Sequence, residues 1–192
     1  MSLQYAVLGV LEARPLSGYE LVQFFDTAAG WVWSAPQSQI YTLLRQMEQR
    51  GLIAGTEQVR GTKLKRTVYS LTPLGRKELT SWVSARHPEP PIRDSLLVQA
   101  LFFDMVGSSA AAAVLEEVVA DNEALVEHWR EHRDRLLNKD TTLLRERLKH
   151  RPETEHDRMA ELKAHVFDGL ISSATARVEW AKAGIELLKK YR

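Results

Sequence analysis

Between Gln37 and Arg45 the chain reads Gln-Ser-Gln-Ile-Tyr-Thr-Leu-Leu-Arg. Gln37, Ser38, Gln39, Tyr41, Thr42 and Arg45 all carry hydrogen-bonding side chains, and no acid stands among them. A glutamine amide offers a donor beside an acceptor, so Gln37 and Gln39 can bridge adenine bidentately; Arg45 can reach guanine or a phosphate. Ser38, Tyr41 and Thr42 can donate to phosphate oxygens. Gln39 and Tyr41 are the expected closest contacts. A second cluster is Arg60, Thr62, Lys63, Lys65 and Arg66 around Gly61. A basic tip of this kind suits phosphate contact or entry into a narrow minor groove. A third possibility is metal binding, because His128 and His132 stand four apart in "HWREH". A zinc hydrolase helix needs glutamate directly after the first histidine. Here that residue is Trp129, and Glu131 is misplaced. No metal site is expected. Cysteine is absent, as are a glycine-rich phosphate loop and a serine elbow. No catalytic residue, no cofactor and no enzymatic activity are expected.

The apolar residues show which elements must hold these groups. Ile40, Leu43, Leu44 and Met47 recur at helical spacing and predict a helix from Ser34 that stops at Gly51, its polar face outward. Two helices precede it, Leu3–Leu11 and the segment "PLSGYELVQFFD". Ser17 is the expected N-cap of the second, with Glu20 in capping-box position. "LIAGTEQV" and "RTVYSLT" read as strands joined by the basic "RGTKLK". "TPLGRKELTSWVSAR" reads as a fourth helix, with Thr72 as cap, Pro73 at its first position, and Leu79, Trp82 and Val83 inward. Three helices, a hairpin with a basic tip and a further helix make a winged helix-turn-helix. In such a fold the third helix can enter the major groove of double-stranded DNA while the hairpin touches the flanking backbone or minor groove.

Three prolines within "RHPEPPIRD" break the chain. We expect a DNA-binding domain over residues 1–86, a linker over 87–93 and a helical domain over 94–192. The first 86 residues carry ten Lys/Arg against six Asp/Glu, and the rest carry sixteen against nineteen. That asymmetry suggests a polyanionic partner for the front half alone. In the rear half Asp94 to Val106 reads as an apolar helix, ended by Gly107 and followed by Ser108 or Ser109 as a cap. Two long helices come next. Ala111, Leu115, Val118, Asn122, Leu125, Trp129, His132 and Leu136 follow alternating steps of four and three, as do Phe167, Ile171, Ala174, Val178, Ala181, Ile185 and Leu188. This is the coiled-coil period. Pairing within one chain is possible. Pairing between two chains is preferred, because so few helices make a thin bundle alone. The resulting homodimer would read a pseudo-palindrome.

The front half resembles the PadR family of bacterial transcriptional regulators. "AVLGVLEARPLSGYEL" matches the family's opening, "SQIYTLLRQMEQRGLI" its recognition helix, and "RTVYSLTPLGRKEL" its second wing strand and following helix. The likeness covers about Leu3 to Val83. More weakly, "IRDSLLVQALFFDMV", Gly169 and Trp180 resemble the helical C-terminal region of a subgroup that includes virulence-gene activators. The resemblance implies a helical dimerisation domain, repression more often than activation, and release from DNA by an aromatic or amphipathic small molecule. Phe102, Phe103, Trp129 and Trp180 could line a pocket for such an effector. One departure stands out: the family often has Gly-Ser before Ile-Tyr, where this chain has Gln37-Ser38-Gln39.

The 192 residues are 44% hydrophobic and 27% charged, which suits a globular protein; the helical patterning of both halves makes it mainly α. No apolar run approaches a membrane span, and the N-terminus lacks an export signal, so no membrane partner and a cytoplasmic location are expected. The alternative to a DNA-binding regulator is an adaptor that uses its winged helix to bind protein.

Overall fold

The computed structural model describes residues 2–27, 36–60, 64–88, 91 and 93–191, with the backbone alone for Ser2, Thr27, Val59, Arg60, Leu64 and Lys65. It divides into two compact units, Met1–Pro88 and Glu89–Arg192.

In the first unit α1 (Ser2–Leu11) leads through a short strand, β1 (Leu16–Ser17), into α2 (Gly18–Thr27). The capping box forms as expected: Ser17 N–H donates to Glu20 Oε2 at 2.8 Å, and Glu20 N–H donates to Ser17 Oγ at 3.3 Å. Helix α3 (Gln37–Gln49) follows. Ser34 and Ala35, where the sequence placed its start, lie outside the described residues. It stops at Gly51, whose φ of 70° only glycine adopts at little cost. Strands β2 (Ile53–Arg60) and β3 (Leu64–Leu71) form an antiparallel hairpin in register from Ile53↔Leu71 to Arg60↔Leu64. Each strand runs further toward the tip than the turn residues suggested.

Helix α4 (Pro73–Val83) is capped by Thr72, which accepts from Gly75 N–H at 3.0 Å. The same hydroxyl lies 2.7 Å from Gly51 O and 2.9 Å from Leu52 O, so one threonine ties the end of α3 to the start of α4. A Cβ on Gly75 would collide with the Leu52 carbonyl, so the approach of α4 requires glycine. The core combines Val7, Leu8, Leu21, Phe25, Ile40, Leu44, Met47 and Ile53, all buried. Val83 is exposed rather than inward; it stands in the last turn of α4, beyond the packed part of that helix.

In the second unit α5 (Ser95–Ala100) is shorter than expected, giving way to a 3-10 turn at Phe103–Met105. Asp94 caps it by accepting from Leu96 N–H at 3.0 Å and Leu97 N–H at 3.2 Å. Then come α6 (Ser108–Leu137), α7 (Thr142–Leu148) and α8 (His156–Lys189). Gly107, not a serine, occupies the N-cap of α6. Helices α6 and α8 run antiparallel. Ser108 Oγ meets Tyr191 O at 3.4 Å near one end, His132 stacks on Phe167 with centroids 4.6 Å apart, and Lys139 pairs with Asp157 at 2.5 Å near the other.

Within this single chain α6 and α8 cover much of each other's heptad seam, which is the in-chain alternative of the two pairings expected. Leu115, Trp129, Phe167 and Val178 are buried by the partner helix of the same chain. Val118, Ile171, Ile185 and Leu188 are half-buried, and only Leu125 is exposed among the seam residues expected to dimerise. A loop containing α7 is long enough to reverse the chain, so each seam meets its neighbour at no cost in association entropy. Among the described residues, no helix is long and apolar enough to cross a membrane.

Candidate DNA-binding surface

Helix α3 separates its two faces sharply. Ile40, Leu44 and Met47 are fully buried, whereas Gln37, Ser38, Gln39, Thr42 and Arg45 are exposed. Pro36 precedes the helix and supplies no side-chain cap, and the first turn holds no acid. Gln39 N–H and Ile40 N–H close on Pro36 O at 2.9 and 3.3 Å, and Gln37 and Ser38 stand at the end of the helix where the dipole favours negative charge. Arg45 Nε donates to Tyr41 O at 3.5 Å and adds a cation to the same face.

Tyr41 is placed differently from its neighbours. It is half-buried, with its ring against Gly18 at the start of α2; a Cβ there would stand 2.5 Å from Tyr41 Cε1. Much of the ring of Tyr41, expected with Gln39 to be among the closest contacts to DNA, is thus spent on α2. Tyr69 on β3 is also buried. Burial raises its phenol above the ordinary range, helped by Glu48 and Tyr41 and opposed by Arg45.

The wing lies beside this face. Thr62 and Lys63 fall outside the described residues, and the side chains of Arg60 and Lys65 do too; the backbones of Arg60 and Lys65 sit at the tip end of the two strands. Arg66 is exposed. It donates to Gln58 Oε1 across the hairpin at 3.3 Å and lies 3.8 Å from Glu20 Oε2. Arg66 therefore braces the hairpin as well as adding charge. Hydrogen bonds from Ser17 chiefly hold the Glu20 carboxyl below its usual range, with smaller help from Arg14 and Arg66, against the opposing effect of burial.

Glu48 belongs to the stretch that carries the family resemblance but was assigned no role from the sequence; its Oε1 accepts from Gly55 N–H on β2 at 2.9 Å. The signal for it was Gly55 itself, since a glycine inside a strand marks a close approach.

The four aromatic residues expected to line an effector pocket differ in exposure within the single chain. Trp129 is buried in the α6–α8 seam, Phe102 is exposed, Phe103 is half-buried, and Trp180 lies on the surface beneath the Arg177 guanidinium at 5.7 Å. A groove of about 530 Å³ in the second unit is lined by Arg133, Leu137, Arg158, Leu162, His165 and Asp168 among others. His128 is exposed and His132 stacks on Phe167. Among the described residues no group of three or more His, Cys, Asp or Glu could hold a metal.

Residues 7–81 match the family model described as the transcriptional regulator PadR-like family. The negative transcriptional regulator PadR of Bacillus subtilis is 32% identical over 123 residues, 64% of this chain and 68% of that protein. The crystal structure of B. subtilis PadR in complex with operator DNA superposes with a TM-score of 0.76 at 24% identity, over 98% of both chains. That of the same protein in complex with p-coumaric acid gives 0.73 at 23% identity, over 98% of this chain and 99% of the other. The structural likenesses establish the shared fold, and the sequence relatives are regulators rather than enzymes. The chain belongs to the PadR-like family of transcriptional regulators.

Proposed function

We propose that this protein is a cytoplasmic repressor that binds a pseudo-palindromic operator as a homodimer and leaves it when a small molecule binds. Residues 1–86 read DNA, residues 87–93 link, and residues 94–192 dimerise and respond. The observation that most supports this reading is the outer face of α3. Gln37, Ser38, Gln39, Thr42 and Arg45 stand exposed on a helix anchored by three fully buried residues. Gln37 and Gln39 read adenine edges, Arg45 reads guanine or grips a phosphate, and Ser38 and Thr42 set register. Tyr41 donates its hydroxyl to a phosphate from a ring seated on α2. Arg60, Thr62, Lys63, Lys65 and Arg66 hold the flanking backbone.

The homodimer is supported by α5 and the turn after it. Leu97, Val98, Leu101, Phe102, Met105 and Val106 are 38–77% exposed in the single chain. Exposed apolar residues gathered in one segment mark an interaction surface, and a second copy offers the same surface in return. The p-coumaric acid complex of the Bacillus relative makes phenolic acids the first effectors to try.

The test is an electrophoretic shift with DNA from upstream of the protein's own gene, at low salt, with the dimer verified by sedimentation. A shift that disappears on raising salt and is reversed by a phenolic acid is the expected result. A folded dimer that shifts no DNA at low salt overturns the reading and favours the protein-binding adaptor.

A further inference from the structure

Two side chains on α3 lie over glycines of other elements. Tyr41 and Glu48 are seven residues apart, two turns, and so share one face of the helix. Tyr41 rests on Gly18, at the first residue of α2. Glu48 crosses Gly55 on β2, its Oε1 accepting the Gly55 N–H at 2.9 Å. Any Cβ at Gly55 would collide with that oxygen and would stand 2.9 Å from Thr67 Cγ2. The outer strand of the sheet is β2, in the order β1-β3-β2. Its free edge therefore finds an acceptor on α3. The other wing strand is tied in similar fashion to α2, through Arg66 and Glu20 at 3.8 Å. These two ties differ in strength. Both ties are exposed, but the Arg66 pair is a 3.8 Å surface contact and weak, whereas the Glu48 carboxylate accepts a backbone N–H at 2.9 Å, a charge-assisted bond with a fixed direction.

We propose that Glu48 is the positioning residue of the wing: its carboxylate, laid across Gly55, fixes the hairpin to α3 and so sets where the basic tip meets the phosphates beside the half-site. Glu48 touches no DNA in this arrangement. It acts through β2, so that α3 and the wing reach DNA as one rigid reader. The inference rests on the DNA-binding reading of this surface. It explains why an acid is tolerated at the end of a helix whose outer face otherwise carries none. It also assigns Gly55 a purpose, because only glycine leaves room for the carboxylate.

The experiment uses the full chain and a duplex that the wild type binds. Glu48→Ala should weaken binding roughly tenfold, in line with removal of a hydrogen bond to a charged group. The log–log salt slope should fall by about 0.9 for each phosphate that the wing no longer reaches. Base preference within the half-site should not change. Glu48→Gln keeps an acceptor and should restore nearly all of the affinity. Gly55→Ala, which displaces the carboxylate without removing it, should behave as Glu48→Ala does. In a Lys63→Ala/Lys65→Ala background Glu48→Ala should have no further effect, since two residues acting through one contact are not additive. In the free protein, amide exchange at Gly55 should be slow in wild type and fast in Glu48→Ala. A further drop in affinity in the wing-neutral background, failure of glutamine to rescue, or an unaltered salt slope would overturn the proposal. A wild type that binds no duplex removes the DNA reading and the proposal together. A wild type that binds while Glu48→Ala is indifferent removes the proposal alone.

Discussion

Truncating Leu115 to alanine tests whether the heptad seam belongs to one chain or two. Leu115 is 2% exposed on α6 and lies against Gly184 of α8, where a Cβ would come within 2.7 Å of its Cδ1. The wall of the resulting hole is therefore helix backbone, which relaxes poorly. Buried Leu→Ala changes cost about 2.7–5.0 kcal/mol, more where the cavity stays open, so about 3.5 kcal/mol is expected here. For a unit of this size that lowers the unfolding midpoint by roughly 15–25 °C. Leu125 is the internal control: it occupies the same seam but is 39% exposed, and Leu125→Ala should cost about 1 kcal/mol. Far-ultraviolet circular dichroism during denaturation follows the helical unit, which is compact on its own. The difference between variant and wild type should not change with protein concentration, because both sides of the packing belong to a single chain. A destabilisation below about 1 kcal/mol at Leu115, or one that grows on dilution, would refute the in-chain seam.

Gln39→Ala should leave the unfolding midpoint unchanged, since the residue is exposed, yet relax base preference by about 1–3 kcal/mol at one operator position. Lys63→Ala should instead weaken binding to every sequence and reduce the salt slope by about 0.9; uniform losses from both variants would sink that division of roles. The Glu20 carboxyl is held below its usual range, so its contribution is present above that range and is lost as pH falls through the lowered value. Glu20→Gln should thus cost about 1 kcal/mol at neutral pH and progressively less in acid, and parallel stability curves would contradict the capping-box account. His132 is shifted down, first by burial and then by Arg135 and His128. Its neutral form fits the fold, so stability should decline as pH drops below about 6.5. His132→Phe should flatten that decline in urea titrations across the acid range, and an unchanged slope would count against it.

The parts of the fold that follow local rules were legible in the sequence. Ser17 with Glu20, Thr72 with Pro73, and Gly51 each act within a few residues, and each sits where composition put it. The inner face of α3 was legible for the same reason. What was not legible depends on partners distant in sequence. Strand β1 is two residues long and exists only because Leu16 and Ser17 pair with Tyr69 and Val68. Helix α5 stops at Ala100 although its apolar pattern continues to Val106, because apolar spacing alone does not fix where a helix ends. The exposed polar face of α3 was visible as a set of residue types. The seating of Tyr41 on Gly18 and of Glu48 on Gly55 was not, since two glycines in other elements create both sites.

The heptads carry the most instructive difference. A period of 3.5 residues says that a helix needs a partner, but it carries no information about which chain supplies it. In this protein the partner is the return helix, fastened near its ends by Ser108 with Tyr191 and by Lys139 with Asp157. Uncovered apolar side chains gather on α5 and the turn after it, whereas Leu137, Leu162, Val166 and Leu187 stand exposed on α6 and α8. Asp94 holds α5 by its N-terminus, capping it and pairing with Arg177 of α8, so its direction is fixed while its side chains stay free. A rigid, apolar helix presented in this way suits a two-fold contact better than a seam already closed. On the proposed homodimer, the contact between copies is to be sought on α5 and the turn after it. Charge introduced at Leu101, rather than at Leu115, is the change that should separate dimerisation from folding.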